Sequence, residues 1–388
     1  MIAVAAVLVV LVSVVLWWSR RQPTPRLFAR LPPPLWCYFL PMCAATLGWL
    51  PHQSPVYTFL AQYALPPCLI LLLLDADVRA IAGLGPLALG VMAAGTAGIM
   101  LGAPLALALL QRWLPAQTWL GVGCLSGSWI GGSANMLAIR EALGAPAAIF
   151  TPMIVVDTVL AYTWMGGLIS LAAWQPQIDR WLRARPEWLD RLKVTAVAPV
   201  QHRVPTWSRL LVIASAGGLG LACVRAGGVL PPVGTWISAK TWTVLLATSL
   251  GVAWSCHRPT RRHARGATAG AGTWLLYLLL ASIGATADLR SITQAPLLLL
   301  LGVVWLLVHG LVLLVVGRVW RVPVFFLATV SQADVGGVAS APLVASVYEP
   351  SLAPVGLLLA VLGNILGTYL GLVTAALCRL VAAAYGAL

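Results

Sequence analysis

The chain has 388 residues, of which 60% are hydrophobic and 9% charged, and its mean hydropathy is +0.92. A soluble protein of this length needs far more polar surface, so the composition excludes a water-soluble enzyme or binding domain and indicates a polytopic membrane protein. The formal charge of +14 does not point to nucleic acid, because the basic residues gather in short connections at 20–30, 180–209 and 258–265, the pattern expected of loops held on the cytoplasmic side.

Apolar stretches occur at 2–18, 35–50, 56–74, 83–111, 118–140, 147–174, 207–226, 233–255, 272–287, 295–317, 323–347 and 352–380. Measured against the roughly 20 residues needed to span a bilayer, they predict an all-α fold with about 12 transmembrane helices. A transmembrane barrel is excluded, because its strands are about ten residues long with polar residues at alternate positions. The first stretch lacks a preceding basic residue and a small-residue cleavage site, and it ends in Trp17, Trp18, Arg20 and Arg21. It reads as a retained anchor. The seven cysteines form no CxxC pair, which indicates neither a disulfide framework nor a zinc site. Tryptophans near span ends, among them Trp18, Trp113, Trp174, Trp207 and Trp320, fit an interfacial aromatic belt.

Residues 1–173 form a first transmembrane half and 207–388 a second, joined by the polar stretch 174–206. That stretch is expected to be a loop with a short interfacial helix, with Trp181, Trp188 and Leu189 at its membrane-facing edge. The positive clusters conflict with a simple count, since an odd number of full spans between the first two puts them on opposite faces. A partial crossing between residues 35 and 173 would remove the conflict. The same count decides whether the halves are parallel or inverted, and transporters use both arrangements.

The halves read as copies of one another. Ser126 matches Ser331, Gly131 and Gly132 match Gly336 and Gly337, and Asp157 and Tyr162 match Asn364 and Tyr369. Asp77, Arg79 and Ile81 likewise match Asp288, Arg290 and Ile292. A glycine pair in mid-span can mark a broken helix, whose freed backbone groups and half-helix dipoles face a solute. The alternative is close packing through small residues. Recurrence in both halves, beside Ser128, Ser133 and Ser340, favours the break.

Of ten acidic residues, Asp157 and Asp334 alone lie well inside apolar spans. A carboxylate near the bilayer centre costs about 2.5–3.5 kcal/mol on insertion scales, so function or local partners must retain it. For a cation such as sodium, the oxygens of Asp157, Asn364, Asn135 and nearby serines form a hard-ligand set. For a proton, Asp157 or Asp334 could load and release it. Gly363, Gly367 and Gly371 have the spacing of a close helix contact. Asp77 with Arg79 and Asp288 with Arg290 end spans and read as surface anchors or gate ion pairs. His309, alone in an apolar run, reads as a packing histidine. Cys256, His257 and His263 are too irregularly spaced to suggest a metal site.

The segments Gly127–Ile139 (GSWIGGSANMLAI), Thr293–Gly302 (TQAPLLLLLG) and Gly336–Tyr348 (GGVASAPLVASVY), with the Asp157 stretch, resemble the YjcL-like family of bacterial integral membrane proteins, long catalogued as a domain of unknown function. That family is grouped by fold resemblance with two-repeat, cation-coupled transporters, among them bile-acid and glutamate symporters and sodium/proton antiporters. The resemblance implies crossed broken helices and a site at Ser128, Gly131, Gly132, Ser133, Asn135 and Asp157 in one half and Gly336, Gly337, Ser340 and Asn364 in the other. Asp334 stands where the family pattern has asparagine, which makes a proton more credible as the coupling ion.

The expected function is therefore secondary active transport of a small solute, coupled to sodium or protons, in the bacterial inner membrane. No enzymatic activity and no cofactor beyond the coupling ion are expected. The partners are the lipid bilayer and the solute, with a homo-oligomer open through the Gly98–Gly102 spacing. The competing readings are an intramembrane enzyme using Asp157 and Asp334 as an acid/base pair, and a non-transporting scaffold or sensor.

Overall fold

A computed structural model describes residues 1–19, 21, 33–74, 76–185, 187–188, 205–233, 237–257, 269–287 and 295–386. In chain order the helices are α1 (Ile2–Ser19), α2 (Pro33–Thr46), α3 (Pro55–Leu73, π-helical over Leu60–Ala64), α4 (Val78–Ala82), α5 (Pro86–Leu110), α6 (Thr118–Gly131), α7 (Ser133–Leu143) and α8 (Ala147–Ser170). They continue as α9 (Gln175–Leu182), α10 (Thr206–Val229), α11 (Ala239–Cys256), α12 (Ala269–Thr286), α13 (Ala295–Trp320), α14 (Val324–Val335), α15 (Gly337–Tyr348) and α16 (Ala353–Ala384). Among the described residues there is no strand, only an isolated bridge between Val233 and Ile237.

Among the described residues, seven helices are long and apolar enough to cross a membrane: α1, α3, α5, α8 continued through α9, α10, α13 and α16. The twelve expected crossings are not all present as single helices. The stretch 118–140 is divided between α6 and α7, and 323–347 between α14 and α15. Hydropathy registers a continuous apolar run, whereas the chain turns at a glycine pair inside it. The stretch 35–50 yields a helix of 14 residues, below the roughly 20 a full crossing requires. Local signals set several starts: Ser54 accepts a bond from Val56 N at the head of α3, Asp77 accepts one from Ala80 N at α4, and Ser238 forms a capping box with Thr241 at α11.

The chain forms two compact units, each drawn from both ends of the sequence. The sequence halves and the compact units are thus different divisions of the chain.

The first unit comprises residues 1–75, 140–154 and 202–294. It holds α1, α2, α3, α10, α11 and α12, which pack through small residues. A Cβ on Gly284 would run into the backbone of Tyr38, and one on Gly220 would lie 2.6 Å from Pro67. The Tyr38 hydroxyl lies 2.6 Å from Thr151 Oγ1; since Thr151 donates to Ala147 O at 2.7 Å, the tyrosine is the donor in this pair.

The second unit comprises residues 76–139, 155–201 and 295–388. Here α5 packs on α13: a Cβ on Gly98 would meet His309 Cα at 3.1 Å, and Gly102 lies against Trp305, whose Nε1 donates to Ile99 O at 2.7 Å. The Gly98–Gly102 spacing is therefore occupied inside the protomer, not free for a second copy. Trp181 of α9 is exposed, whereas Trp188, beyond the end of that helix, is buried with its ring 5.2 Å from that of Phe326. A large aromatic beside an apolar cluster gains more from burial than from a membrane edge. Leu189 lies outside the described residues. Asp179 accepts a 2.7 Å bond from Val324 N, placing a carboxylate at the positive end of α14. Trp18, Trp113, Trp174, Trp207 and Trp320 are all exposed.

Candidate functional site

The second unit contains both interrupted helices. At the first break, Gly132 has φ 84° and ψ 177°, a conformation essentially restricted to glycine. Its N–H donates to Ser128 O at 2.6 Å, while its carbonyl accepts from Asn135 N at 3.0 Å. One residue thus ends α6 and starts α7. Gly131 beside it is required for a different reason, since a Cβ there would collide with Asn135 Nδ2 and lie 2.6 Å from Gly363 O and 2.9 Å from Gly367 Cα. The Gly363, Gly367 and Gly371 face of α16 lies along this seam, with Gly371 against Gly127.

Asn135 fastens the break. Its Nδ2 donates to Gly131 O at 2.6 Å and to Asn364 O at 3.2 Å, and its Oδ1 accepts from Thr368 Oγ1. Both amide protons and one lone pair of Oδ1 are used, which leaves that oxygen one further acceptor direction. Asp157, on α8, accepts from Ser128 Oγ at 2.9 Å and from Trp129 Nε1 at 3.0 Å. Trp129 is in turn held against Trp305, with ring centroids 4.5 Å apart. Asp157, Asn364, Gly132 and Ser133 are each half-buried, and Asn364 Oδ1 lies 3.4 Å from where a Gly132 Cβ would be. A carboxylate with four lone-pair directions and two donors retains acceptor capacity.

The second break differs. Helix α14 ends at Val335, Gly336 N donates to Gln332 O at 2.9 Å, and Gly337 adopts φ 67°. Gln332 Nε2 donates to Ser340 Oγ at 2.8 Å, clipping α14 to α15 across the turn. Asp334 is fully buried at 0% exposure. Its Oδ1 accepts from Thr96 Oγ1 at 2.9 Å, whereas Oδ2 has no hydrogen-bond partner and presses on Gly95.

Beside it, His309 Nδ1 lies 2.9 Å from Gly95 O and Nε2 lies 2.9 Å from Ser331 Oγ, and Trp164 Nε1 donates to the same Oγ at 2.8 Å. A carbonyl only accepts, so Nδ1 carries the proton, Nε2 accepts from the Ser331 hydroxyl, and Ser331 accepts from Trp164. Every polar atom of this chain is satisfied with a neutral imidazole. His309 is thus hydrogen-bonded between helices.

The structure therefore gathers Ser128, Gly131, Gly132, Asn135, Asp157 and Asn364 around one break, and Asp334, Gly336, Gly337 and Ser340 around the other. Thr96, Trp164 and Thr368 complete these contacts without any motif that marks them, whereas Trp129 lies within the GSWIGGSANMLAI segment. Of the expected surface pairs, Asp77 caps α4 and Arg79 lies within it, while Asp288 and Arg290 lie outside the described residues. His263 is outside them too, and no cluster of His, Cys, Asp or Glu able to hold a metal occurs among the described residues.

Apolar spans, glycine-broken helices and half-buried polar groups inside one helical unit define a multi-pass membrane protein. The chain belongs to the family described as protein of unknown function DUF819, whose profile matches residues 6–381. It is 29% identical over 347 residues to the uncharacterized membrane protein YjcL of Bacillus subtilis (strain 168), covering 85% of each chain.

Proposed function

We propose that this protein is a secondary active transporter that moves a small solute coupled to sodium or protons, without covalent chemistry. The observation that carries the reading is the pairing of two glycine-broken helices in one compact unit with a half-buried carboxylate, Asp157, beside the first break. Broken helices supply free backbone groups and dipole ends for a solute, and Asp157 with Asn364 Oδ1 and the Ser128 hydroxyl supplies oxygens for a coupling cation. The two helix–break–helix segments are the cores of two pseudo-symmetric repeats in this reading, and the short α2 is the partial crossing that the basic clusters call for. Ion and solute binding would bias an alternating-access equilibrium. Complete burial of Asp334 supports a proton or structural role there over a general acid reaching a substrate.

The test is the thermal unfolding midpoint of purified protein in sodium against potassium at two pH values, for the native chain and Asp157→Asn. A ligand that binds only the folded state at a hundred times its Kd adds about 2.7 kcal/mol of stability. A sodium-specific rise lost in the variant identifies sodium coupling at Asp157, and a pH-dependent shift lost in the variant identifies proton coupling. Absence of both favours a scaffold.

A further inference from the structure

The first unit contains a cavity of about 400 Å³ that none of the sites described so far uses. Its walls come from helix ends: the start of α3 with Tyr57 and Thr58, the close of α7 with Arg140 and Glu141, the start of α11 with Lys240, and the close of α12 with Ser282 and Thr286. Most of its remaining lining is apolar, including Leu65, Val224 and Ile283. Its volume is in the range of small-molecule sites.

The charges inside it do not cancel. Glu141 Oε1 accepts from Arg140 Nη1 at 2.7 Å, and its Oε2 lies 3.8 Å from Lys240 Nζ, so two cations face one carboxylate. That carboxylate has both oxygens opposed by positive charge, which leaves the excess on the cationic side. Arg140 is oriented by the Phe150 ring, 5.3 Å from its guanidinium carbon, and its buried Nε has no hydrogen-bond partner. A buried donor of this kind is costly until an acceptor reaches it. Lys240 lies at the mouth, its side chain 67% exposed, in the first turn of α11, where the helix dipole adds positive potential. The Ser238 and Thr241 hydroxyls both contact Ala142 O, at 3.4 Å and 3.1 Å, which ties this end of α11 to the Arg140 segment and makes the pocket preformed.

We propose that this cavity binds a small organic anion, a carboxylate on an apolar body, with Arg140 at the back and Lys240 at the mouth holding the charge and the hydroxyls of the wall orienting it. The inference goes beyond the transport reading and stands whether or not the chain moves a solute.

The experiment uses the full-length protein in a neutral detergent at low salt. The probes are 4-phenylbutyrate, its neutral amide and 4-phenylbutylamine, each titrated against the thermal unfolding midpoint. The expected result is a saturable rise with the carboxylate alone, and an apparent Kd weakened by about tenfold in Lys240→Gln, the loss of one charge-assisted contact, with recovery in Lys240→Arg. Arg140→Gln should abolish the shift. Should that variant fail to fold, the exposed Lys240 series still decides. Equal shifts from the acid and the amide, binding of the amine, no saturable shift from the carboxylate, or an unchanged response in Lys240→Gln would each overturn the proposal.

Discussion

Asn135, the third residue of α7, donates through Nδ2 to the main-chain carbonyl of Asn364 on α16 at 3.2 Å. A side chain at the first break is thereby bonded to the backbone of the residue whose own carboxamide oxygen faces Gly132. The break is thus braced from outside its own helix, and under the proposed transport function the residues around it divide into those that hold the shape and those that would meet a ligand. Asn135, Thr368 and the glycines belong to the first group, and Asp157 and Asn364 Oδ1 to the second.

The two adjacent glycines of the first break should fail for different reasons. Gly131→Ala drives a methyl group into Asn135 and the backbone of α16 and is expected to lower stability by about 1–3 kcal/mol through overpacking. Gly132→Ala meets only Asn364 Oδ1 at 3.4 Å but must hold φ 84°, at a cost of order 1–3 kcal/mol in strain. Gly166→Ala on α8, where a Cβ meets nothing within 4 Å, is the control and should leave the unfolding midpoint unchanged or slightly raised.

Asp157→Asn and Asp157→Ala should separate shape from charge. An asparagine can accept from Trp129 Nε1 and donate to Ser128 Oγ, so the fold should survive within about 1 kcal/mol while any cation response disappears. Alanine leaves the Trp129 N–H without its acceptor and should cost about 1–3 kcal/mol. Unfolding midpoints in potassium measure the first difference, and the sodium response measures the second.

Gly95 and Asp334 should be energetically coupled. A Cβ on Gly95 would lie 2.5 Å from Asp334 Oδ2 and 3.0 Å from Val330, so Gly95→Ala alone should destabilise. Paired with Asp334→Ala, which vacates that space, it should cost less than the sum of the single changes, by about 0.5–3 kcal/mol, the range for residues in contact. A double-mutant cycle on unfolding midpoints checks this, and strict additivity would mean that the two do not touch.

Ser331→Ala removes one hydroxyl and strands two partners, Trp164 Nε1 and His309 Nε2. The expected loss is about 1–3 kcal/mol for the buried groups left unsatisfied, with a shift in tryptophan emission as Trp164 changes environment. Ser331→Thr keeps the hydroxyl and should retain the native spectrum.

The sequence discloses the breaks because a glycine pair beside polar side chains recurs in both halves, whereas Gly166–Gly167 and Gly217–Gly218 sit inside unbroken helices, and it discloses the α16 seam because Gly363, Gly367 and Gly371 recur at one-turn spacing. Hydropathy alone does not divide 118–140 and 323–347, since it averages over the very residues that turn, and only the glycine pairs carry that signal. Thr96 and Trp164 are invisible for another reason: one threonine or tryptophan in an apolar helix carries no pattern, and its meaning comes from a partner on a distant helix. The cavity at Arg140, Glu141 and Lys240 is not legible in the sequence, because only the fold brings these separate segments together. The compact units escaped as well, because a unit drawn from three separate stretches leaves no boundary in composition.

The 229 residues that separate Asn135 from its bond on α16 set an order of events during biogenesis. The chain is synthesised from its N-terminus, so α6 and α7 are inserted long before α16 exists, with the notch at Gly127 and Gly131 uncovered and Asn135 without Thr368. Only the last long helix closes the first break. A nascent chain interrupted before residue 353 thus lacks the helix that covers Gly127 and Gly131 and the partners that hold Asn135.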